Sequence, residues 1–175
     1  MPISNTTIET GVDSVSLSKQ PLWRTVLGGT LLAGTLDISA AIITWMSRDV
    51  PAMRVLQGVA AGLLGREARN GGWATAMLGL ALHYLIMSVI VATFFFASRR
   101  LPKLVQRWLP AGMAYGVAVY IVMTFIVVPL SAFPGNPIPP WSQIVQGVIV
   151  HMFCVGVPIA WVTSRLARGG YSTPG

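Results

Sequence analysis

Three side chains carry groups able to do chemistry inside long apolar runs: Asp37 in LAGTLDISAAIITW, His83 in GLALHYL and His151 in GVIVHMF. An ionised group near the middle of a bilayer costs about 3 kcal/mol on insertion scales, so it faces a bundle interior, a partner or water. Counted from one edge of the apolar runs, Asp37 lies nine residues from Met46, His83 ten from Trp73 and His151 nine from Ser142. At a helical rise of ~1.5 Å per residue, all three sit ~14 to 15 Å deep.

That common depth is compatible with four chemistries. In the first, the groups hydrogen-bond to one another or to a hydroxyl and only fix helix register. In the second, Asp37 carries a proton or holds a solute while a histidine relays. Burial favours the neutral form of both carboxyl and imidazole, so neighbours of this kind can exchange a proton near neutral pH. The third is a b-type haem with His83 and His151 as axial ligands, for which Gly79 and Gly147, four residues before each histidine, would leave room for a macrocycle. The fourth is a metal held by Asp37, His83 and His151, a ligand set of some zinc and iron centres. Other catalytic signatures are missing: there is no HExxH, GxSxG, Walker loop or dinucleotide fingerprint. Ser39 and Ser88 are isolated, and such serines in membrane helices bond back to a carbonyl. Cys154 is the single cysteine, which excludes an intrachain disulfide and a CxxC site.

The elements that must position these groups follow from composition. A mean hydropathy of +0.67, 54% hydrophobic residues and 10% charged residues over 175 positions are far too apolar for an ordinary soluble domain. Four apolar stretches, 24–46, 73–97, 110–132 and 142–164, are each long enough to cross ~30 Å of hydrocarbon as a helix. All six tryptophans mark their ends: Trp23 and Trp45, Trp73, Trp108, Trp141 and Trp161. Indole favours the headgroup boundary, so this regularity supports the partition independently. The fold class expected is an all-α four-helix transmembrane bundle over 23–166.

Charge sets the orientation. Arg99, Arg100, Lys103 and Arg107 join spans two and three without an acid among them, and Lys19, Arg24, Arg165 and Arg168 flank the outermost spans. The opposite side carries Arg48, Arg54, Arg66 and Arg69, partly offset by Asp49 and Glu67. By the positive-inside rule both termini are cytoplasmic. The net charge of +7 then serves topology and lipid headgroups, and nucleic acid is not an expected partner. Residues 1–22 read as a disordered cytoplasmic tail without signal-peptide features, and 167–175 as a second tail.

Small and polar residues recur at helical spacing within each span: Thr30, Gly34, Asp37, Ala41 and Thr44; Ala76, Gly79 and His83; Gly112, Gly116, Tyr120 and Thr124; Gln143, Gly147, His151, Cys154 and Pro158. Such stripes let helix backbones approach, so they are the expected bundle seams. Pro129 and Pro158 are expected to kink their spans. Residues 51–66 predict an amphipathic helix with Val55, Leu56, Val59, Ala60, Leu63 and Leu64 on its apolar face and Arg54 and Gln57 away from it. Such a helix lies on the outer interface or, given Gly58, Gly62 and Gly65, dips into the bundle. The linker FPGNPIPPW, stiffened by four prolines, is expected to cap the outer mouth. GLALH and GVIVH both read Gly-x-x-x-His, an echo compatible with two duplicated helical hairpins.

The run VLQGVAAGLLGREARNGGWATAMLGLALHYL, with LAGTLDISAA and YGVAVYIVMTFIVVPLSAF, resembles small four-span bacterial inner-membrane proteins that are YagU-like in outline. The resemblance covers residues 25–165 and implies a bacterial inner-membrane location, with no catalytic residue to carry over. The reading adopted is a non-enzymatic, proton- or solute-linked membrane role centred on Asp37, His83 and His151, with no cofactor. The alternatives are a haem-binding electron carrier and a structural or accessory subunit. Four short spans enclose little volume, so the expected partners are the lipid bilayer and a second copy or a larger membrane complex.

Overall fold

The computed structural model describes residues 22–135 and 138–169; the tails expected at the two ends lie, apart from Leu22 and 167–169, outside the described residues. The chain forms α1 (Leu22–Met46), α2 (Ala52–Leu64), α3 (Gly72–Arg100), α4 (Trp108–Leu130) and α5 (Trp141–Ala167). All but α2 are long and apolar enough to cross a membrane, the architecture of an all-α multi-pass protein. α1, α3 and α5 overrun the expected spans by one to three residues at their ends, because backbone hydrogen bonding continues past the apolar stretch. α4 stops two residues early, where Ser131 turns extended and its Oγ donates to Val128 O at 2.7 Å.

α1 packs between α3 and α5, and α4 lies against α5. The main core joins all four: Ala33 from α1, Met87, Val91 and Phe94 from α3, Val119 from α4, and Val155, Ile159 and Ala160 from α5. α3 and α4 touch within this core, where Tyr115 Oη donates to Ile90 O at 2.7 Å and the Phe94 and Tyr115 rings lie 4.9 Å apart. Beyond that contact, toward the end that carries α2, a cavity lies between the two helices, with Leu82 and Ile86 on one wall and Met123 and Val127 on the other. The opposite, arginine-rich end of the bundle is referred to below as the basic end.

Two seams carry the closest approaches. Along α4 and α5, a Cβ on Gly112 would stand 2.7 Å from Gly156 O, and one on Gly116 would collide with His151 O. Helices that gain nothing from hydrophobic association inside lipid gain from van der Waals contact of this kind. The second seam differs from expectation: the Ala76, Gly79, His83 row of α3 receives α2 as well as α1, and a Cβ on Gly79 would overlap Leu56 O. The two Gly-x-x-x-His runs are thus used differently, since Gly147 is covered by the Tyr120 ring.

The prolines act by widening a turn. Met123–Val127 precedes Pro129 and His151–Gly156 precedes Pro158, both as π turns. Val128 N–H reaches back to Met123 O and Val157 N–H to Met152 O, five residues in each case. A proline cannot donate and its ring crowds the carbonyl four residues earlier, so one wider turn keeps the preceding donor satisfied in a medium without water.

Span ends fit an interface. Trp23, Trp73 and Trp141 are 64%, 70% and 76% exposed, and Arg24, Arg48 and Arg165 stack on Trp23, Trp45 and Trp161 at 5.3 to 5.6 Å.

The docking of α2 generates a direct test. Gly79→Ala forces a methyl into the Leu56 carbonyl and is expected to destabilise the protein by about 1 to 3 kcal/mol. Gly58→Ala in α2, where a Cβ meets nothing within 4 Å, is expected to be neutral or to stabilise by up to ~1 kcal/mol. Unfolding of the two variants in mixed micelles separates them; equal stability would place α2 away from α3.

Candidate functional site: a cavity beneath α2

Where α3 and α4 part, α2 and the turn Ser131–Pro134 close over a cavity of about 900 Å³. α1 supplies Asp37, Ile38, Ala41 and Trp45 to its wall, α3 supplies Leu82, His83 and Ile86, and α4 supplies Met123, Val127 and Val128. Asp49, Arg54 and Arg69 also line it, all exposed and all beyond the membrane-length helices. Asp37 and His83 are its ionisable groups at membrane depth. Phe133 and Pro134, from the described part of the linker, also line it.

α2 owes its position to a polar anchor on the side expected to face away. Gln57 is 1% exposed: its Nε2 donates to Gly72 O at 2.9 Å and to Thr75 Oγ1 at 3.2 Å, while its Oε1 accepts from Arg54 at 3.1 Å. Arg54 also donates to Arg69 O at 2.9 Å, and Thr75 Oγ1 to Ala68 O at 2.7 Å. At the other end of α2, Ala132 N–H donates to Gly62 O at 2.9 Å. The expected apolar face is therefore corrected. Leu56, Gln57, Ala60 and Ala61 are buried, whereas Leu63 and Leu64 are 60% and 40% exposed. A buried amide with several partners specifies a docking position more sharply than another leucine could.

The three sequence-derived candidates separate. Asp37 is half-buried, faces the cavity, and makes no hydrogen bond or ion pair among the described residues. Cys154 of α5 lies close enough to feel its charge. His83 shares the cavity; its Nε2–H donates to Gly34 O at 2.9 Å, fixing the tautomer and tying α3 to α1 one turn from Asp37. His151 does not join them. Its Nδ1–H donates to Gly147 O at 2.9 Å within its own helix, and its ring meets Tyr120 edge-on at 5.2 Å in the α4–α5 seam.

The haem and metal geometries consequently lose their support. The space over Gly79 holds the α2 backbone and that over Gly147 holds Tyr120, so neither glycine leaves room for a macrocycle. Among the described residues no three His, Cys, Asp or Glu side chains gather as metal ligands. Ser88 bonds back to Leu85 O at 2.7 Å, as an isolated serine does. A shallower groove near the basic end, lined by Trp23, Val26 and Val89, carries no ionisable side chain.

Two features escaped sequence reasoning. Arg48 donates to Gln146 Oε1 at 2.7 Å and Gln146 Nε2 to Thr44 Oγ1 at 3.2 Å, clamping the start of α5 to the end of α1. Thr44 stood on the polar stripe of α1, but nothing local singled out Gln146. Gln57 carried a signal, an amide beside Gly58 in a short helix, which amphipathicity alone assigned to solvent.

Gln57→Leu keeps volume and removes the anchor. It is expected to cost about 1 to 3 kcal/mol and to speed amide hydrogen exchange across 52–64 more than in α1 or α3. Unchanged exchange in α2 would show that the amide is not what holds it. Comparison with family models, with curated proteins and with solved structures returns no match to this chain.

Proposed function

We propose that the chain is a solute-binding protein of the bacterial inner membrane, with both termini cytoplasmic and the α2 end facing outward, whose cavity is linked to a proton on Asp37. The YagU-like placement belongs to this proposal. Orientation rests on Arg99, Arg100, Lys103 and Arg107 between α3 and α4, opposite α2. The observation that carries the function is the Asp37 carboxyl: it stands at membrane depth, lines a cavity and has no hydrogen-bond or ion-pair partner among the described residues. A purely structural carboxyl at that depth would be hydrogen-bonded, because leaving it unpaired costs more than an apolar residue would.

His83 has a narrower role than a relay to His151. It spends one N–H on Gly34 O and thereby holds α1 against α3 at the cavity wall, while its second ring nitrogen has no partner among the described residues. The groups around Asp37 are His83 in the same cavity, Cys154 across the α1–α5 interface, and Asp49, Arg54 and Arg69 farther out. None of these makes a hydrogen bond or ion pair with it among the described residues, which leaves the carboxyl available to a solute in the cavity.

Infrared difference spectra of the reconstituted protein test this reading. On acidification, the wild type is expected to gain a carboxyl C=O stretching band that Asp37→Asn lacks, with the variant's stability within about 1 kcal/mol of wild type. Identical difference spectra, or an Asp37→Asn variant whose only change is a large loss of stability, would overturn it in favour of a structural role.

A further inference from the structure

The geometry points to a specific ligand class: the cavity is built for a lipophilic monovalent cation, an apolar organic body carrying one positive nitrogen or phosphorus centre seated at Asp37. The inference rests on the solute-binding reading above and adds the sign and shape of the solute. Its first support is charge. Among the described residues the cavity holds, at membrane depth, one carboxylate without a partner and no guanidinium or ammonium. His83 already commits an N–H to Gly34 O. The nearest cationic side chains, Arg54 and Arg69, belong to the α2 hairpin; Arg54 is turned onto Gln57 Oε1 and Arg69 O. Asp37 lies nine residues before the end of α1. Arg54 spends its donors on the Gln57 amide and the Arg69 carbonyl, outside the membrane-length helices, so among the described residues no cation is paired with the carboxylate.

The second support is shape and polarity. Ile38, Ala41, Leu82, Ile86, Met123 and Val127 share the cavity wall with the carboxylate and give it hydrocarbon and one thioether. A volume of about 900 Å³ suits an organic molecule of several rings and is far larger than a bare ion needs. A small inorganic cation would also require several oxygen ligands, and the lining near Asp37 does not provide them. An anionic or neutral solute would leave the carboxylate uncompensated or force it to stay protonated. A soft, weakly hydrated cation loses little hydration on entry and meets both the charge and the apolar wall. Electrostatic complementarity of this kind decides which sign of solute is accepted.

A pair of probes of one shape and opposite charge tests the proposal: tetraphenylphosphonium and tetraphenylborate, measured by equilibrium dialysis against the purified full chain in detergent. The phosphonium is expected to bind and the borate to bind at least ~10-fold more weakly. Asp37→Asn is expected to weaken the phosphonium by ~10-fold or more, Asp37→Glu to restore most of the loss, and Ala41→Phe, which fills the wall and keeps the carboxylate, to abolish binding of both probes. Equal binding of the two ions, tighter borate binding, or phosphonium affinity unmoved by Asp37→Asn and Ala41→Phe would overturn it. The infrared band of Asp37 separates the two proposals: if it titrates while the phosphonium fails to bind, the ligand class is wrong and the proton-linked cavity stands.

Discussion

The approach of α2 to α3 at Gly79 is the constraint on which the rest of the architecture depends. Only a residue without a side chain lets the Leu56 carbonyl lie where a Cβ would be, about two turns in from the tryptophan that opens α3. Docked at that depth, α2 fills the flank of α3 and reaches Ile38 and Ile42 of α1, forming a second small core with Ala76. Gln57 and Gly62 fix its two ends to the Gly72–Thr75 turn and to Ala132. Without that docking, the divergence of α3 and α4 would be an open cleft facing lipid. With it, the cleft becomes a cavity with a carboxylate in its wall.

A second constraint acts on α4 and α5. Backbone groups in hydrocarbon have to be satisfied internally, yet both helices contain a proline. Each resolves the conflict with a π turn one residue before the ring, and those turns lie at Met123–Val127 beside the cavity and at His151–Gly156 against α1 and α4. The wider turn at Met123 brings Met123 and Val127 to the cavity wall, and the one at His151 carries the carbonyl that meets Gly116. The same proline chemistry shapes the cavity on one side and a close helix seam on the other.

The spans, their tryptophan-marked ends and the Gly112–Gly116–Gly147 seam were legible in the sequence, because each follows from a local periodicity in an apolar run. Counting along the spans puts Asp37, His83 and His151 at one level. Azimuth was not legible. Which face of a helix meets which neighbour depends on crossing geometry, and that sends His151 toward Tyr120 while His83 turns to Gly34. The burial of Gln57 was hidden for a related reason: its partners are the carbonyl of Gly72 and the hydroxyl of Thr75, which become available only after the chain turns back at Gly65 and Gly72, both with positive φ. An amphipathic pattern cannot distinguish an amide that seeks water from one that seeks a carbonyl.

The central claim is that Asp37 stands in the wall of a solute-binding cavity beneath α2, while other positions of α1 lie on the outside of the bundle. Ala41 is in the wall of that cavity, and Ile43, two residues on, is 69% exposed on the outside of the bundle. The most direct measurement replaces Ala41 or Ile43 with cysteine in a Cys154→Ser background and follows modification by a small, charged, water-soluble thiol reagent in proteoliposomes. Rapid modification at 41 with none at 43 is the predicted result. Protection of both positions, or equal reaction at both, would contradict it.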